Sequence, residues 1–192
     1  MTASQHRPPQ ARLRTEIREL CVPFAGLPSL VGCSFLGDWF IVDAGSLPLF
    51  DRAIYSDQNA YPLDARGYPE DLVEGFHLLA LLDHLVNPLL RVSDGPCVAW
   101  NYGLDRVRFI SPVRAGQKIR VRGTVGAVRP KGTAFLILSR CAVEVEGRES
   151  PGMVADWWTY WLAPEPSSAG TSQARTCGTA GHGITAATAS DE

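Results

Sequence analysis

The chain has 192 residues, of which 45% are apolar and 20% are charged, and its formal net charge is -2. This length and composition suit one globular domain with flexible ends, or at most two small domains. Lys and Arg form no cluster along the sequence, so neither nucleic acid nor an anionic membrane surface is an expected partner. No apolar run approaches the roughly 18 residues of a membrane span, and no apolar segment follows the basic residues of the N-terminus, so neither membrane insertion nor secretion is expected.

The two ends of the chain differ in composition from the middle. Residues 1–19 begin with a polar stretch that contains two prolines, and residues 163–192 are rich in Ser, Thr, Ala and Gly. Such segments bury too little apolar surface to offset the entropy lost on ordering. We therefore predict one domain over residues 20–162, with a disordered or loosely attached N-terminus and a disordered C-terminal tail.

The cysteines indicate a reducing compartment. They are widely spaced and contain no CxxC pair, which is the usual signature of a zinc knuckle or a thiol redox motif. We expect free thiols in the cytoplasm, no metal site and no cofactor. The five residues are Cys21, Cys33, Cys97, Cys141 and Cys177.

The first predicted elements are a short strand and a short helix. Residues 38–43 (DWFIVD) place four apolar residues between two acids, which favours a short buried strand. Ser46 is a candidate N-cap for a helix that runs to about Tyr55, with Pro48 tolerated in its first turn. The stretch before them, residues 20–37, is apolar and punctuated by Gly and Pro, and its pattern gives no clear assignment.

The strongest predicted element is a helix from about Gly75 to Leu90. Its apolar residues cover nearly every side of a helix, which predicts burial on most sides. Pro88 would end or kink it. His84 is interpreted as a buried structural residue of this helix.

Strands dominate the rest of the ordered chain. Residues 118–125 alternate polar and apolar side chains, and residues 134–145 follow a turn at residues 129–132, so the two segments predict a hairpin. Residues 105–110 and 153–162 are predicted to be further strands. A run of antiparallel strands with one dominant helix predicts an α+β fold, and the edges and outer face of such a sheet predict a homodimer.

Three segments together resemble a known family. They are SDQNAYPLD, VEGFHLLALL and NYGLDRVRFISPVRAGQKIRVRGTV. They resemble the MaoC-type branch of the hot-dog fold, which includes R-specific enoyl-CoA hydratases and NodN-like dehydratases, and the resemblance spans roughly residues 39–162. It implies an antiparallel sheet wrapped around a long central helix. It also implies a hydro-lyase reaction on an acyl thioester, carried on CoA or an acyl carrier protein, in fatty-acid or polyketide-type metabolism.

The family's catalytic motif is matched only in part. In the loop before the central helix, members carry D-x-N-P-x-H, whose Asp and His exchange protons with the substrate. Asp57 and Asn59 match the first two conserved positions, whereas Pro62 stands where the family has His, and Pro cannot exchange a proton. The family's H-G at the helix start becomes Glu74 followed by Gly75. The resemblance therefore implies Asp57 as the base, in a site that lacks the usual acid–base partner.

Residues at the start of the helix are the candidate substitutes. Glu74 and His77 are three residues apart and can share a face of the helix, so we predict that they act with Asp57 as catalytic residues. A first-turn Glu that suits the helix dipole and a His satisfied within the core are the structural alternatives. The candidate substrate-binding residues are Asn59, Tyr61, Gly75 and Phe76. Of these, Gly75 would offer its N–H to the oxyanion that develops on the thioester carbonyl.

Two groups of strand residues have open interpretations. Residues 157–161 (WWTYW) alternate between the two faces of their strand, where core and dimer contacts are expected and a substrate tunnel is the alternative. Arg106 and Arg108 share one face, on which one of them could hold a phosphate or carboxylate, or both could be solvated.

The function expected from the sequence is thus a MaoC-like hydratase or dehydratase with a non-standard site, or a related isomerase or cyclase. Two rivals remain open. The missing His at Pro62 suits a non-catalytic hot-dog subunit that binds an acyl ligand or an active partner. A carboxylate near the helix also suits a thioesterase.

Overall fold

A computed structural model describes residues 19–58, 69 and 71–163 of the chain. Its strands are β1 (Leu20–Val22), β2 (Ser34–Leu36), β3 (Phe40–Ile41), β4 (Leu72–Val73), β5 (Leu90–Val92), β6 (Val98–Phe109), β7 (Val113–Arg114), β8 (Lys118–Lys131), β9 (Ala134–Val145) and β10 (Met153–Leu162). Its α-helices are α1 (Ser46–Ala53) and α2 (Gly75–Val86), and short 3-10 turns span Phe24–Leu30 and Ser56–Gln58.

One antiparallel sheet forms the body of the fold. Its strand order is β2-β8-β9-β10-β6. Strand β3 also pairs with β8, at the start of β8, whereas β2 pairs with residues 122–124. Two small pairs lie outside it, the antiparallel pair β4–β7 and the parallel pair β1–β5. The predicted α+β arrangement, a run of antiparallel strands with one dominant helix, is confirmed.

The central hairpin follows directly from the alternation in the sequence. On β8, Ile119, Val121 and Val125 are fully buried, while Arg120 and Arg122 between them face outward. Ala134–Val145 and Met153–Leu162 begin and end where the sequence predicts. The strands predicted over residues 118–125 and 105–110 are longer than expected, because they continue to Lys131 and begin at Val98.

Helix α2 buries one face against this sheet. Its buried residues are His77, Leu78, Leu82, Leu85 and Val86. The expectation of burial on most sides is wrong, because Phe76 is 71% exposed and Ala80 and Asp83 are exposed on the opposite side. His84 is also exposed, with its ring tilted against Phe40, so its predicted burial is wrong as well.

The two helices differ from prediction at their ends. Helix α2 ends at Val86 rather than Leu90, and the chain turns at residues 87–89, around Pro88, before entering β5. The N-cap of α1 is Gly45, and the Ser46 hydroxyl donates a hydrogen bond to the Asp43 carbonyl (2.6 Å). Of the strand predicted at residues 38–43, only Phe40–Ile41 pairs with the sheet.

A clasp joins the start of the described chain to the segment after α2. Strand β1 lies parallel to β5, with Leu20 opposite Leu90. Just beyond it, the Asp94 carboxylate accepts a hydrogen bond from the Phe24 N–H (2.9 Å). The residues between β1 and β2, which gave no clear prediction, add the buried side chains Leu27 and Leu30 to the core.

Several predictions extend beyond the described residues. The disorder predicted for residues 1–19 and 163–192 stays a prediction, because only Glu19 and Ala163 of these segments are described. Cys33, Cys97 and Cys141 are free thiols, and Cys177 lies outside the described part of the chain. Within residues 19–58, 69 and 71–163, neither helix has the length and apolar character needed to cross a membrane.

Gly123→Ala tests how closely β2 packs on the central hairpin. A Cβ at Gly123 would lie 2.2 Å from the Phe35 ring, which is itself fully buried, so the ring must shift. Overpacking of this kind costs about 1–3 kcal/mol, and we expect a loss of that size in the free energy of unfolding by urea. Gly26→Ala is the matched control, since its Cβ would meet its nearest atom at 3.5 Å. Equal stabilities of the two variants would contradict the packing described.

Candidate active site

The start of α2 offers a set of backbone donors. Glu74 is the N-cap residue, with φ -59° and ψ 151°, and its carbonyl accepts the first helical hydrogen bond, from the Leu78 N–H (2.9 Å). The N–H groups of Gly75, Phe76 and His77 have no acceptor among the described residues, as expected for a first helical turn. Unpaired donors and the positive end of the helix dipole favour a negative charge at this point.

A pocket of about 270 Å³ lies beside this turn. It is bounded by β4, by the first turn of α2 and by the segment that follows β6. A Cβ at Gly75 would lie 2.8 Å from the Phe109 ring, so a larger residue at the first position of the helix would have to displace this half-exposed ring. Phe76 meets the same ring edge-on, with the ring centroids 6.5 Å apart.

Helix α1 docks on α2 through two rings. Phe50 and His77 stack almost parallel, with their centroids 4.4 Å apart and an angle of 8° between the planes. His77 is only 7% exposed. This contact brings Asp51, the next residue of α1, close enough to act electrostatically on both Glu74 and His77.

The two titratable groups of α2 shift in opposite directions. Burial raises the pKa of Glu74, and the nearby charge of Asp51 raises it further. Burial lowers the pKa of His77, although Asp51 opposes that shift. A carboxyl that protonates more readily than usual thus lies one turn from an imidazole that stays neutral at physiological pH. Such a pair can supply one proton donor and one proton acceptor.

The predicted site residues are only partly brought together. Asp57 lies in the 3-10 turn Ser56–Gln58 and is exposed, and the carboxylate that acts on Glu74 and His77 is Asp51. Asn59, Tyr61 and Pro62 lie outside the described residues. Sequence reasoning missed Asp51, because nothing in its neighbourhood marks it and its role arises from the docking of α1.

A second pocket of about 400 Å³ lies between α2 and β6. Apolar side chains such as Phe76, Leu79 and Leu104 form its walls. A polar chain lines one part of it, in which the Trp157 indole N–H donates to Asn101 Oδ1 (2.8 Å) and Asn101 Nδ2 donates to Asp83 Oδ2 (3.0 Å). This pocket was not predicted beyond the suggestion that the aromatic strand could line a substrate tunnel.

Comparison with known proteins gives the class first. No protein-family model matches the chain. The fold is similar to the crystal structure of a MaoC-like dehydratase from Rhodospirillum rubrum, with a TM-score of 0.54 and 18% identity, over 71% of this chain and 94% of that one. The fold is therefore the hot-dog fold, as the sequence resemblance implied.

Sequence relatives give the family. Nodulation protein N of Rhizobium leguminosarum bv. viciae is 30% identical over 142 residues, which cover 70% of this chain and 88% of that protein. The 3-hydroxyacyl-thioester dehydratase Z of Mycobacterium tuberculosis is 32% identical over 131 residues, or 66% of this chain and 86% of that protein. The chain belongs to the MaoC-like family, in its NodN-like branch, and this similarity supports a dehydratase-type function.

The buried His77 predicts a specific dependence of stability on pH. Because burial holds the pKa of His77 in the folded protein below that of the unfolded chain, the unfolded chain binds the proton first as pH falls. The contribution of His77 is complete above about pH 6.5 and is lost as pH falls through the lower pKa of the folded state.

His77→Phe keeps a ring against Phe50 and removes the titration. We expect the free energy of unfolding of the wild type to fall more steeply than that of His77→Phe between about pH 7.5 and pH 5, measured by urea denaturation. Ile54→Phe, which adds a ring at the exposed end of α1 and removes no titratable group, should keep the wild-type slope. If the free energy of unfolding fell equally steeply with pH in the wild type and in His77→Phe, the lowered pKa of His77 would be refuted.

Proposed function

We propose that the protein is a hydro-lyase that interconverts 3-hydroxyacyl and 2-enoyl thioesters carried on CoA or an acyl carrier protein. The observation that carries this proposal is the first turn of α2, where three N–H donors meet two groups whose pKa values are shifted in opposite directions. The similarity to nodulation protein N and to a 3-hydroxyacyl-thioester dehydratase supports the same chemistry.

Dehydration requires two proton transfers and one stabilised charge. A base takes the proton from C2, and negative charge develops on the thioester oxygen as the enolate forms. An acid then protonates the 3-hydroxyl, the C3–O bond breaks, and water leaves. Backbone donors at a helix N-terminus stabilise the enolate oxygen, because they are fixed in place before the charge appears.

Each step has a proposed group in this chain. The Gly75 N–H binds the thioester oxygen, with Phe76 beside it against the acyl chain. Glu74 donates the proton to the hydroxyl, since its raised pKa keeps more of it protonated. Asp57 takes the C2 proton, in keeping with its position in the family motif, and neutral His77 assists. Asp51 is a positioning residue, because its charge raises the pKa of both Glu74 and His77.

Asn59 and Tyr61 complete the proposed substrate contacts. They stand in the loop that carries the family motif, where an amide and a phenol can orient the thioester or the catalytic carboxylate by hydrogen bonds. They are assigned from the sequence alone.

A non-catalytic subunit that binds an acyl ligand is the second candidate. Two observations favour it. Pro62 replaces the residue that exchanges protons in the family, and Asp57 is exposed. The pocket between α2 and β6 would hold the acyl chain in either case.

The proposed assembly is a homodimer joined along β6. This strand ends the sheet, and its outer edge has no strand partner among the described residues. It exposes large apolar side chains along its length, among them Val98, Trp100 and Leu104. A long apolar edge strand invites pairing with a second copy about a two-fold axis.

Turnover of crotonyl-CoA and of 3-hydroxybutyryl-CoA tests the catalytic assignment. We expect Glu74→Gln and Asp57→Asn each to lower kcat by roughly 10²-fold or more, the usual worth of general acid–base help. Asp51→Asn should change the pH profile more than the maximal rate. Glu146→Gln is the matched control, because Glu146 is an exposed carboxylate in the turn after β9 and is paired with Lys118 (3.1 Å).

The outcomes separate the candidates. Wild-type rates in both Glu74→Gln and Asp57→Asn would overturn the roles assigned to these residues. Saturable binding of crotonyl-CoA with no turnover by the wild type would replace the hydro-lyase by the acyl-binding subunit.

Leu104→Lys tests the proposed dimer. A charge at this half-exposed apolar position of β6 should prevent edge pairing, because burying an unpaired ammonium is costly. We expect sedimentation velocity to show a dimer for the wild type and a monomer for the variant. Ile41→Lys places the same charge on an exposed apolar residue of β3, away from β6, and should leave the dimer intact. A wild-type monomer would contradict the proposal.

A further inference from the structure

The outer face of the sheet gathers arginines that are far apart in the sequence. On β8 and β9 the residues that alternate with the buried core positions point away from α2, and Arg122 and Arg140 are among them. Arg106 comes from β6, two strands away from β9. No run of the sequence contains this cluster, because each strand contributes only one of its members.

These arginines surround a depression of about 420 Å³. Ala142 and Val154, which lie opposite each other on β9 and β10, form its floor. Arg106, Arg122 and Arg140 line it.

Positively charged side chains outnumber negatively charged ones among the described residues that line the depression. Asp156 is the one carboxylate among the described residues that line it, and it forms an ion pair with Arg106. Arg122 shares the neighbouring Glu144 with Arg120, at 2.6 and 2.7 Å respectively. Burial raises the pKa of Glu144, but hydrogen bonds from both arginines outweigh that effect and lower it, so this carboxylate stays ionised.

Arg140 differs from the other arginines of this face in lacking a carboxylate partner among the described residues. It is exposed and has no ion pair or hydrogen bond among the described residues, although Asp156 lies opposite it in the strand register. Its guanidinium lies over Gly126, where a Cβ would come within 3.0 Å of Nε. The donors of this exposed guanidinium are therefore available to a ligand.

The backbone of β6 is distorted beside the depression. A bulge interrupts its pairing with β10 between Val154 and Asp156, and Arg106 within it has φ of 50°. Bulges re-aim side chains, and a non-glycine residue rarely adopts this conformation. Here the bulge accompanies an Arg106 side chain that reaches Asp156 and lines the depression.

We propose that this depression, the Arg140 pocket, binds the phosphate group of a small molecule. Guanidinium groups form paired, charge-assisted hydrogen bonds with phosphate oxygens. Arg140 supplies these donors, and Arg106 and Arg122, each already paired with a carboxylate, flank it. The site is separate from the start of α2, because the sheet lies between them. It therefore does not depend on the hydro-lyase proposal.

Titration calorimetry of the full chain with inorganic pyrophosphate, in a low-salt buffer free of phosphate, tests the proposal. We expect saturable binding by the wild type and about tenfold or more weaker binding by Arg140→Gln, the usual effect of losing a charged hydrogen bond. Val154→Glu, which places a carboxylate on the floor, should abolish binding. Arg91→Gln is the matched control, since it removes the same charge from an exposed residue of β5, and should bind as the wild type does.

Three results would overturn the proposal. They are the absence of saturable binding by the wild type, equal binding by Arg140→Gln and the wild type, and a preference for citrate over pyrophosphate. A parallel arm uses vesicles that contain phosphatidylglycerol. Vesicle binding that depends on Arg140, without pyrophosphate binding, would replace the small molecule by a lipid surface.

Discussion

The packing of α2 against the inner face of the sheet is the contact on which the rest of the molecule depends. Leu82 of the helix and Val121 of β8 belong to one buried cluster. The backbone at Gly152 packs so closely on this core that a Cβ there would lie 2.4 Å from Val113 Cγ2. Interiors packed at this density leave little room for displacement. The position of the helix start, with its donors and titratable groups, is therefore set by the core and not by the site.

Sequence reasoning succeeded where the deciding forces are local. The hairpin and the last strand were predicted because period-2 alternation and a glycine turn act within a few residues, and two strands end where expected. The length and burial of α2 were predicted less well. Its apolar run continues into the turn at residues 87–89, and a helix covered by one sheet keeps an exposed side whatever its composition. Phe76 is apolar and exposed for that reason.

The candidate site shows the same division. The family motif points to Asp57, and spacing along the chain points to the Glu74–His77 pair, but the catalytic roles of all three stay predictions. Asp51 could not be found in this way, since its effect on His77 requires α1 to dock through the Phe50 ring. The arginines of the outer face are the residues that sequence reasoning was least able to bring together. The sequence has no basic cluster, and the sheet assembles one from residues on three strands.

The clasp between β1 and β5 has a consequence for the order of folding. The Phe24–Asp94 hydrogen bond joins residues 70 positions apart, whereas the β8–β9 hairpin closes over a short turn. Long loops are costly to close, so contacts of this range form late and open first. The three-residue strand β1 is thus the natural starting point for local unfolding. Its release would loosen the segment that follows α2 while leaving the central hairpin intact.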